Sequence, residues 1–224
     1  MGIVVGLRAE ARIASRAGWP VAIGGGTAPG AADAARQLAA GGATALVSFG
    51  LAGGLDPALR PGDVVVPSHV LLAGSLLPTD PTLLGRADGS TLLCGETAVA
   101  SAAEKRHWFE MTGAVAVDLE SGAVARVALE HGLPFAALRA ICDPAERDLP
   151  PAALVALDAR GAIGLLRVLR SLVAHPGQLP ALLALTRDAA HARRSLVRAI
   201  LSPNPLPQGE RAFFSLSPCR RGPG

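Results

Sequence analysis

Ala43-Thr44-Ala45-Leu46-Val47-Ser48-Phe49-Gly50-Leu51-Ala52-Gly53-Gly54 is a nearly uncharged apolar run that empties into glycines. The paired glycines Gly41 and Gly42 stop whatever precedes it. Ala43–Phe49 therefore reads as a strand, and Gly50–Gly54 as a glycine-rich turn at its carboxyl end. Working outward, Gly2–Leu7, Val21–Gly25, Asp63–Val70, Val115–Val117 and Phe135–Ile141 read as further strands. Thr27 offers an N-cap and Pro29 a first-turn proline for a helix over Ala31–Ala40. Further helices are predicted over Ser101–Met111, Glu120–His131, Ala152–Ala174 and Leu179–Ile200. Strands alternating with helices predict an α/β sheet packed on both faces.

Composition narrows the function classes. Half of the 224 residues are hydrophobic and 17% are charged, which excludes a disordered chain. Aromatics make up 3%, with no Tyr, so core and pocket must be built from Ala, Leu, Val and Ile. A nucleic-acid surface that works by base stacking lacks its platforms. The net charge of +3 is modest, but between Pro151 and Ile200 seven arginines face only Asp158 and Asp188. That asymmetry reads either as a solvated helix face or as peripheral contact with an anionic membrane. Cys94, Cys142 and Cys219 form no CxxC pair, and the five histidines contain no helical zinc spacing, so no metal site is expected. Neither a signal peptide nor a ~20-residue apolar span is visible, which predicts a cytoplasmic location. Ser202–Gly224 is rich in Pro, Gly, Ser and Arg and reads as a disordered tail or a read-through extension. The folded domain is expected over residues 1–201.

Three carboxylates stand at strand ends: Glu10 after the first strand, Glu120 after Val115–Val117, and Asp143 after Phe135–Ile141. Ligands of open α/β sheets bind outside the carboxyl ends of strands, so parallel strands would gather these acids on one rim beside Gly50–Gly54. Each alone is also an ordinary helix-start acid or turn residue. Gly24, Gly26 and Gly30 resemble a dinucleotide fingerprint, but the acid that should follow ~20 residues on is absent, where Ser48-Phe49-Gly50 stand instead. A tight strand-to-helix turn is the simpler role.

Six segments, in order, resemble the methylthioadenosine/S-adenosylhomocysteine nucleosidases of the purine nucleoside phosphorylase/nucleosidase superfamily. They are Val4–Ala11, Gly24–Ala32, Ser48–Gly54, Gly62–Pro67, Val117–Ala123 and Arg139–Ala145. Glu10–Ala14, Leu55–Leu59 and Pro176–Leu183 resemble the hopanoid-biosynthesis-associated phosphorylase-like subgroup. Leu119 stands where the superfamily usually has Met, a volume-conserving change. The segment Gly74–Gly95 is short for the subgroup. The resemblance implies a three-layer αβα fold with a central mixed β-sheet, nucleoside phosphorylase/hydrolase-like. It implies a nucleoside substrate, adenosylhopane cleaved to ribosylhopane and adenine, and a homodimer. Catalysis would fall to Glu10, orienting or deprotonating water, and to Asp143, protonating the purine. Gly50, Leu51, Ala52, Gly53, Leu119 and Glu120 would bind ribose and base. No cofactor is implied, with phosphate a co-substrate if the reaction is phosphorolytic. A phosphate site wants arginines, and only Arg8 and Arg12 lie near in sequence, so water is the favoured nucleophile. A nucleoside-binding module without activity is the competing expectation.

Overall fold

The computed structural model describes residues 1–154 and 174–201. The expected helix over Ala152–Ala174 lies outside them except at its two ends, as do the tail Ser202–Gly224 and the boundary after residue 201. Among the described residues nine strands form one sheet: β1 (Gly2–Val5), β2 (Val21–Ile23), β3 (Leu46–Gly54), β4 (Val64–Val65), β5 (His69–Leu72), β6 (Ser75–Pro78), β7 (Thr91–Cys94), β8 (Ala116–Asp118) and β9 (Phe135–Asp143). The α-helices described are α1 (Arg8–Ala14), α2 (Ala28–Ala40), α3 (Ala102–Thr112), α4 (Ser121–Glu130), α5 (Pro151–Leu154) and α6 (Leu179–Leu201).

β3 organises the sheet. Its first half pairs in parallel with β1, and its whole length pairs in parallel with β9. Its last residues pair antiparallel with β8, which leads on to β7, β5 and β6. The glycine-rich stretch expected to be a turn is therefore the end of this strand. Pairing with β9 as far as Gly53 overrides the weak local strand preference of glycine. Asp63–Val70, expected as one strand, is two. Val64–Val65 pairs with β9 and His69–Leu72 with β7, and Pro67 between them cannot donate to a ladder.

Alternation along the central strands sorts two cores. Leu46 and Ala52 of β3, with Ala137 and Ile141 of β9, pack beneath Ala31, Ala35 and Leu38 of α2 and Val124 and Ala128 of α4. Val47 and Phe49, with Leu138 and Ala140, pack on the other side against Ile13 and Ala14 of α1 and Ala192 and Leu196 of α6. Helices on both faces of a mixed sheet give the three-layer αβα architecture. Thr27 caps α2 as expected, its hydroxyl accepting from the Gly30 amide at 3.3 Å.

Gly24 and Gly30 are packing residues. The start of α2 lies so close to the end of β2 that a Cβ on Gly30 would sit 1.9 Å from the Gly24 carbonyl oxygen. A Cβ on Gly24 would sit 2.7 Å from the Ala31 Cα. Gly30→Ala therefore forces backbone apart and is expected to cost about 2–3 kcal/mol. That corresponds to a fall of roughly 4–12 °C in Tm, read by calorimetry; an unchanged Tm would contradict this contact.

Candidate active site

Glu10 lies in the first turn of α1, directly after β1, and is 3% exposed. Its Oε2 accepts from the Gly6 and Leu7 amides at 3.1 and 2.8 Å, which is the helix-start role open to any acid there. Its Oε1 does more, accepting from the Leu51 amide of β3 at 3.0 Å. That bond consumes the Leu51 amide, which the sequence had suggested would hold a ligand. Burial raises the pKa of Glu10 above its ordinary value, against the pull of the Arg139 guanidinium and its backbone donors.

Glu120 occupies the N-cap position of α4, and its Oε1 accepts from the Gly26 amide at 3.1 Å. A Cβ on Gly6 would lie 2.5 Å from Oε2, and one on Gly24 3.1 Å from Oε1. The glycine-rich loop thus serves a carboxylate of the protein itself. Burial pushes Glu120 up to about 7, with Asp118 and Glu10 pushing the same way and Arg139 opposing them. The convergence does not require the parallel arrangement expected for all three strands: β8 runs antiparallel to β3 and carries Glu120 back over its middle.

Asp143 closes β9. There the pairing with β3 slips by one residue, so that Gly53 faces Asp143 rather than Cys142. The carboxylate forms a buried ion pair with Lys105 of α3. Glu10, Glu120 and Asp143 line one cavity of about 290 Å³, together with Leu51, Ala52, Gly53 and Leu119. Gly50 does not line it. It lies beneath, where a Cβ would be 2.7 Å from both Arg139 Nη1 and Glu10 Oε1, so its role is to admit those two side chains.

Arg139 and Lys105 were not singled out from the sequence. Arg139 is a lone charge in the middle of an apolar strand and is 1% exposed. Its Nη2 donates to Ser48 Oγ at 2.6 Å and Ser121 Oγ at 2.9 Å and pairs with Asp118. Burial alone would lower its proton affinity; Asp118, Glu120 and Glu10 together hold it above the ordinary value. Lys105 sits among Glu104, Arg106 and His107 and reads as a surface charge, although it falls one helical turn before the partly buried Phe109. The remaining cavity lining includes Asp118 and the apolar Val99, Leu149, Ala153 and Leu185, and among the described residues no Arg, Lys or His side chain contributes to it. Arg8, considered as an anion ligand, is exposed, and neither it nor Arg12 lines the cavity. Among the described residues no group of three His, Cys, Asp or Glu is placed to hold a metal ion.

The basic helix face is partly resolved. Arg187, Arg194 and Arg198 of α6 are exposed, whereas Arg193 turns inward within electrostatic reach of Glu10. Arg160, Arg167 and Arg170 lie outside the described residues. No helix among the described residues is long and apolar enough to cross a membrane.

The sequence matches the family model of the phosphorylase superfamily over residues 9–80 and 87–174. No curated protein matches. Solved structures do. A 5′-methylthioadenosine/S-adenosylhomocysteine nucleosidase from Helicobacter pylori, in complex with a substituted pyrrolidin-3-ol, is 17% identical with a TM-score of 0.62, covering 89% of this chain and 96% of that one. An S-adenosylhomocysteine nucleosidase from Streptococcus pyogenes is 16% identical with a TM-score of 0.61, covering 92% and 97%. The futalosine hydrolase of Helicobacter pylori is 16% identical with a TM-score of 0.63, covering 89% and 95%. At these identities the likeness establishes the shared fold.

The raised proton affinity of Glu120 has a stability consequence. Its folded-state value of about 7 lies above the ordinary 4.5, so folding stability is lost as pH rises from about 4.5 to about 7 and levels off above. Glu120→Gln, which cannot ionise, is expected to stabilise the ligand-free protein by on the order of 2–3 kcal/mol at pH 8 and by much less at pH 5. Denaturant melts at the two pH values measure this. An equal effect at both would mean that Glu120 is not held in a desolvated state.

Proposed function

Because this chain belongs to the phosphorylase superfamily, we propose that its cavity cleaves the N-glycosidic bond of a purine nucleoside with water as the nucleophile. The observation that carries this reading is the lining itself: Glu10, Glu120 and Asp143, held by different elements, meet in one pocket with Asp118, and among the described residues no cationic side chain lines it. Phosphate would enter a surface of carboxylates that, among the described residues, offers none of the arginine forks that recognise it. Water carries no such penalty. The nucleosidases and futalosine hydrolase that share the fold act on nucleoside-like molecules, as their names state, which supports the substrate class.

In this mechanism Asp143 protonates the departing purine, whose anion is a poor leaving group. Glu120 accepts a hydrogen bond from a ribose hydroxyl, and that contact strengthens as the sugar takes on oxocarbenium character. Glu10 orients the attacking water and takes its proton. The raised proton affinity of Glu10 suits a base that must gain a proton during the reaction. Gly53, Ala52 and Leu119 shape the space for ribose and base.

The apolar side chains Leu51, Leu149 and Leu185 along the same cavity favour a nucleoside whose 5′ substituent is apolar. Adenosylhopane, the substrate implied by the sequence resemblance, has this character. Cleavage would leave ribosylhopane and adenine. A substrate this insoluble would be met at a cytoplasmic membrane surface, where the exposed arginines of α6 supply attraction to anionic lipid. A homodimer is the assembly in which we expect the enzyme to work.

The test is release of adenine from adenosylhopane and from 5′-alkyl adenosines, followed by mass spectrometry with and without phosphate. The expected product without phosphate is the free ribosyl compound. Strict dependence on phosphate would replace hydrolysis by phosphorolysis, and no release under either condition would leave a nucleoside-binding module. Asp143→Asn is expected to slow release by on the order of 10²–10⁴-fold, because an amide has no acidic proton to give; it also removes the counter-charge of the buried Lys105 ammonium, so Tm is expected to fall as well and rates are compared below the melting range.

A further inference from the structure

Lys105 is a buried cation at this site to which the proposed chemistry gives no task. It is fully buried, with 0% exposure, on α3. Its ammonium donates to Asp143 Oδ2, to the Pro144 carbonyl at 2.9 Å and to the Arg147 carbonyl at 2.9 Å. An ammonium has three N–H donors, and these acceptors take all of them. Lys105 therefore has nothing left to offer a ligand and can influence the site only through what it holds.

What it holds is one wall of the cavity. The Ala102 amide donates to Asp148 Oδ1 at 2.7 Å, and the Leu149 amide donates to the Ala100 carbonyl at 2.7 Å. The start of α3 and the segment 143–149 are thus joined side by side, and Ala98, Val99, Asp143 and Leu149 of that joined pair all line the cavity. Lys105 fixes Oδ2 from behind. Oδ1 keeps only a weak thiol donor, Cys142 Sγ at 3.3 Å, and retains acceptor capacity for a ligand.

We propose that Lys105 is the positioning residue of Asp143: it pins one carboxylate oxygen and the following turn so that the other oxygen faces the purine. The catalytic part of this inference rests on the reading of Asp143 as general acid. The other ionisable groups around Asp143 are Cys142 on its own strand, Glu146 and Arg147 on the following turn, and Glu10 from α1. The guanidinium of Arg147 is engaged with Asp188 of α6 at 2.7 Å, and Glu146 is exposed and bonded to Arg60. Lys105 is the cation in direct contact.

The experiment compares adenine release by wild type, Lys105→Met and Lys105→Arg, reading kcat and KM separately beside Tm. In Lys105→Met kcat is expected to fall by about 10–100-fold while KM changes much less, because the acid is misaimed while the rest of the pocket is kept. Lys105→Arg keeps a cation against Asp143, but its planar fork cannot serve three acceptors around one point, so kcat is expected to recover only in part. A lower Tm with kcat and KM unmoved would make Lys105 a structural clamp only and overturn the proposal. If Lys105→Met does not fold, Lys105→Arg decides: a kcat about tenfold lower at near-native Tm supports the proposal, and an unchanged kcat overturns it. No adenine release by wild type overturns the general-acid reading itself and this inference with it, whereas release by wild type with kcat unchanged in both variants overturns the positioning role alone.

Discussion

A guanidinium with 1% exposure is the constraint from which the rest of this site follows. Arg139 stands in the middle of β9, on the face toward α2 and α4, where an uncompensated charge would cost several kcal/mol. Asp118 at the end of β8 pairs with it directly, Ser48 of β3 and Ser121 of α4 accept its hydrogen bonds, and Glu10 and Glu120 contribute their fields. Strands β3, β8 and β9 and the start of α4 are thereby fixed around one positive centre. Glu10 and Glu120, which both face the cavity, do not each need a partner of their own, because they share this one.

Glycine makes that sharing possible. Gly50 opens the centre of β3 to Arg139 and Glu10, and Gly6 and Gly24 open the ends of β1 and β2 to Glu120. The backbone amides of Gly6, Leu7, Gly26 and Leu51 then hold the carboxylates in place. Amides at Gly26 and Leu51 that would otherwise be free to bind a ligand are spent on the protein's own side chains. Charge, not backbone dipole, is what this cavity presents to a substrate.

The fold was legible because its signals are local. Thr27 and Pro29 open a helix, Gly41-Gly42 close it, and apolar runs alternate with such helices along the chain. The three strand-end acids were legible for the same reason, since a strand end and an acid are both visible in sequence. What escaped was set by pairing across the sheet. Gly50–Gly54 reads as a turn until β9 is there to extend it, and Asp63–Val70 reads as one strand until Pro67 is seen to divide two partners. Arg139 and Lys105 escaped differently. Arg139 carried the stronger signal, a charge in the middle of a nine-residue strand that is otherwise uncharged until Asp143 at its end. Lys105 lies in a run of charges, and only its position one turn before Phe109 marks it as inward-facing.

The two buried cations explain how similar carboxyl groups could take different parts in the proposed reaction. Arg139 is shared among Asp118, Glu120 and Glu10, so its pull on each cavity acid is diluted and burial prevails, raising the proton affinity of both. Lys105 is committed to Asp143 alone, in contact, and its other donors are taken by main-chain carbonyls. A purine settling over Asp143 would present a basic nitrogen to the oxygen that Lys105 leaves free. Dividing one cation among several acids while dedicating another to a single acid separates base from acid, without the carboxylates having to differ chemically.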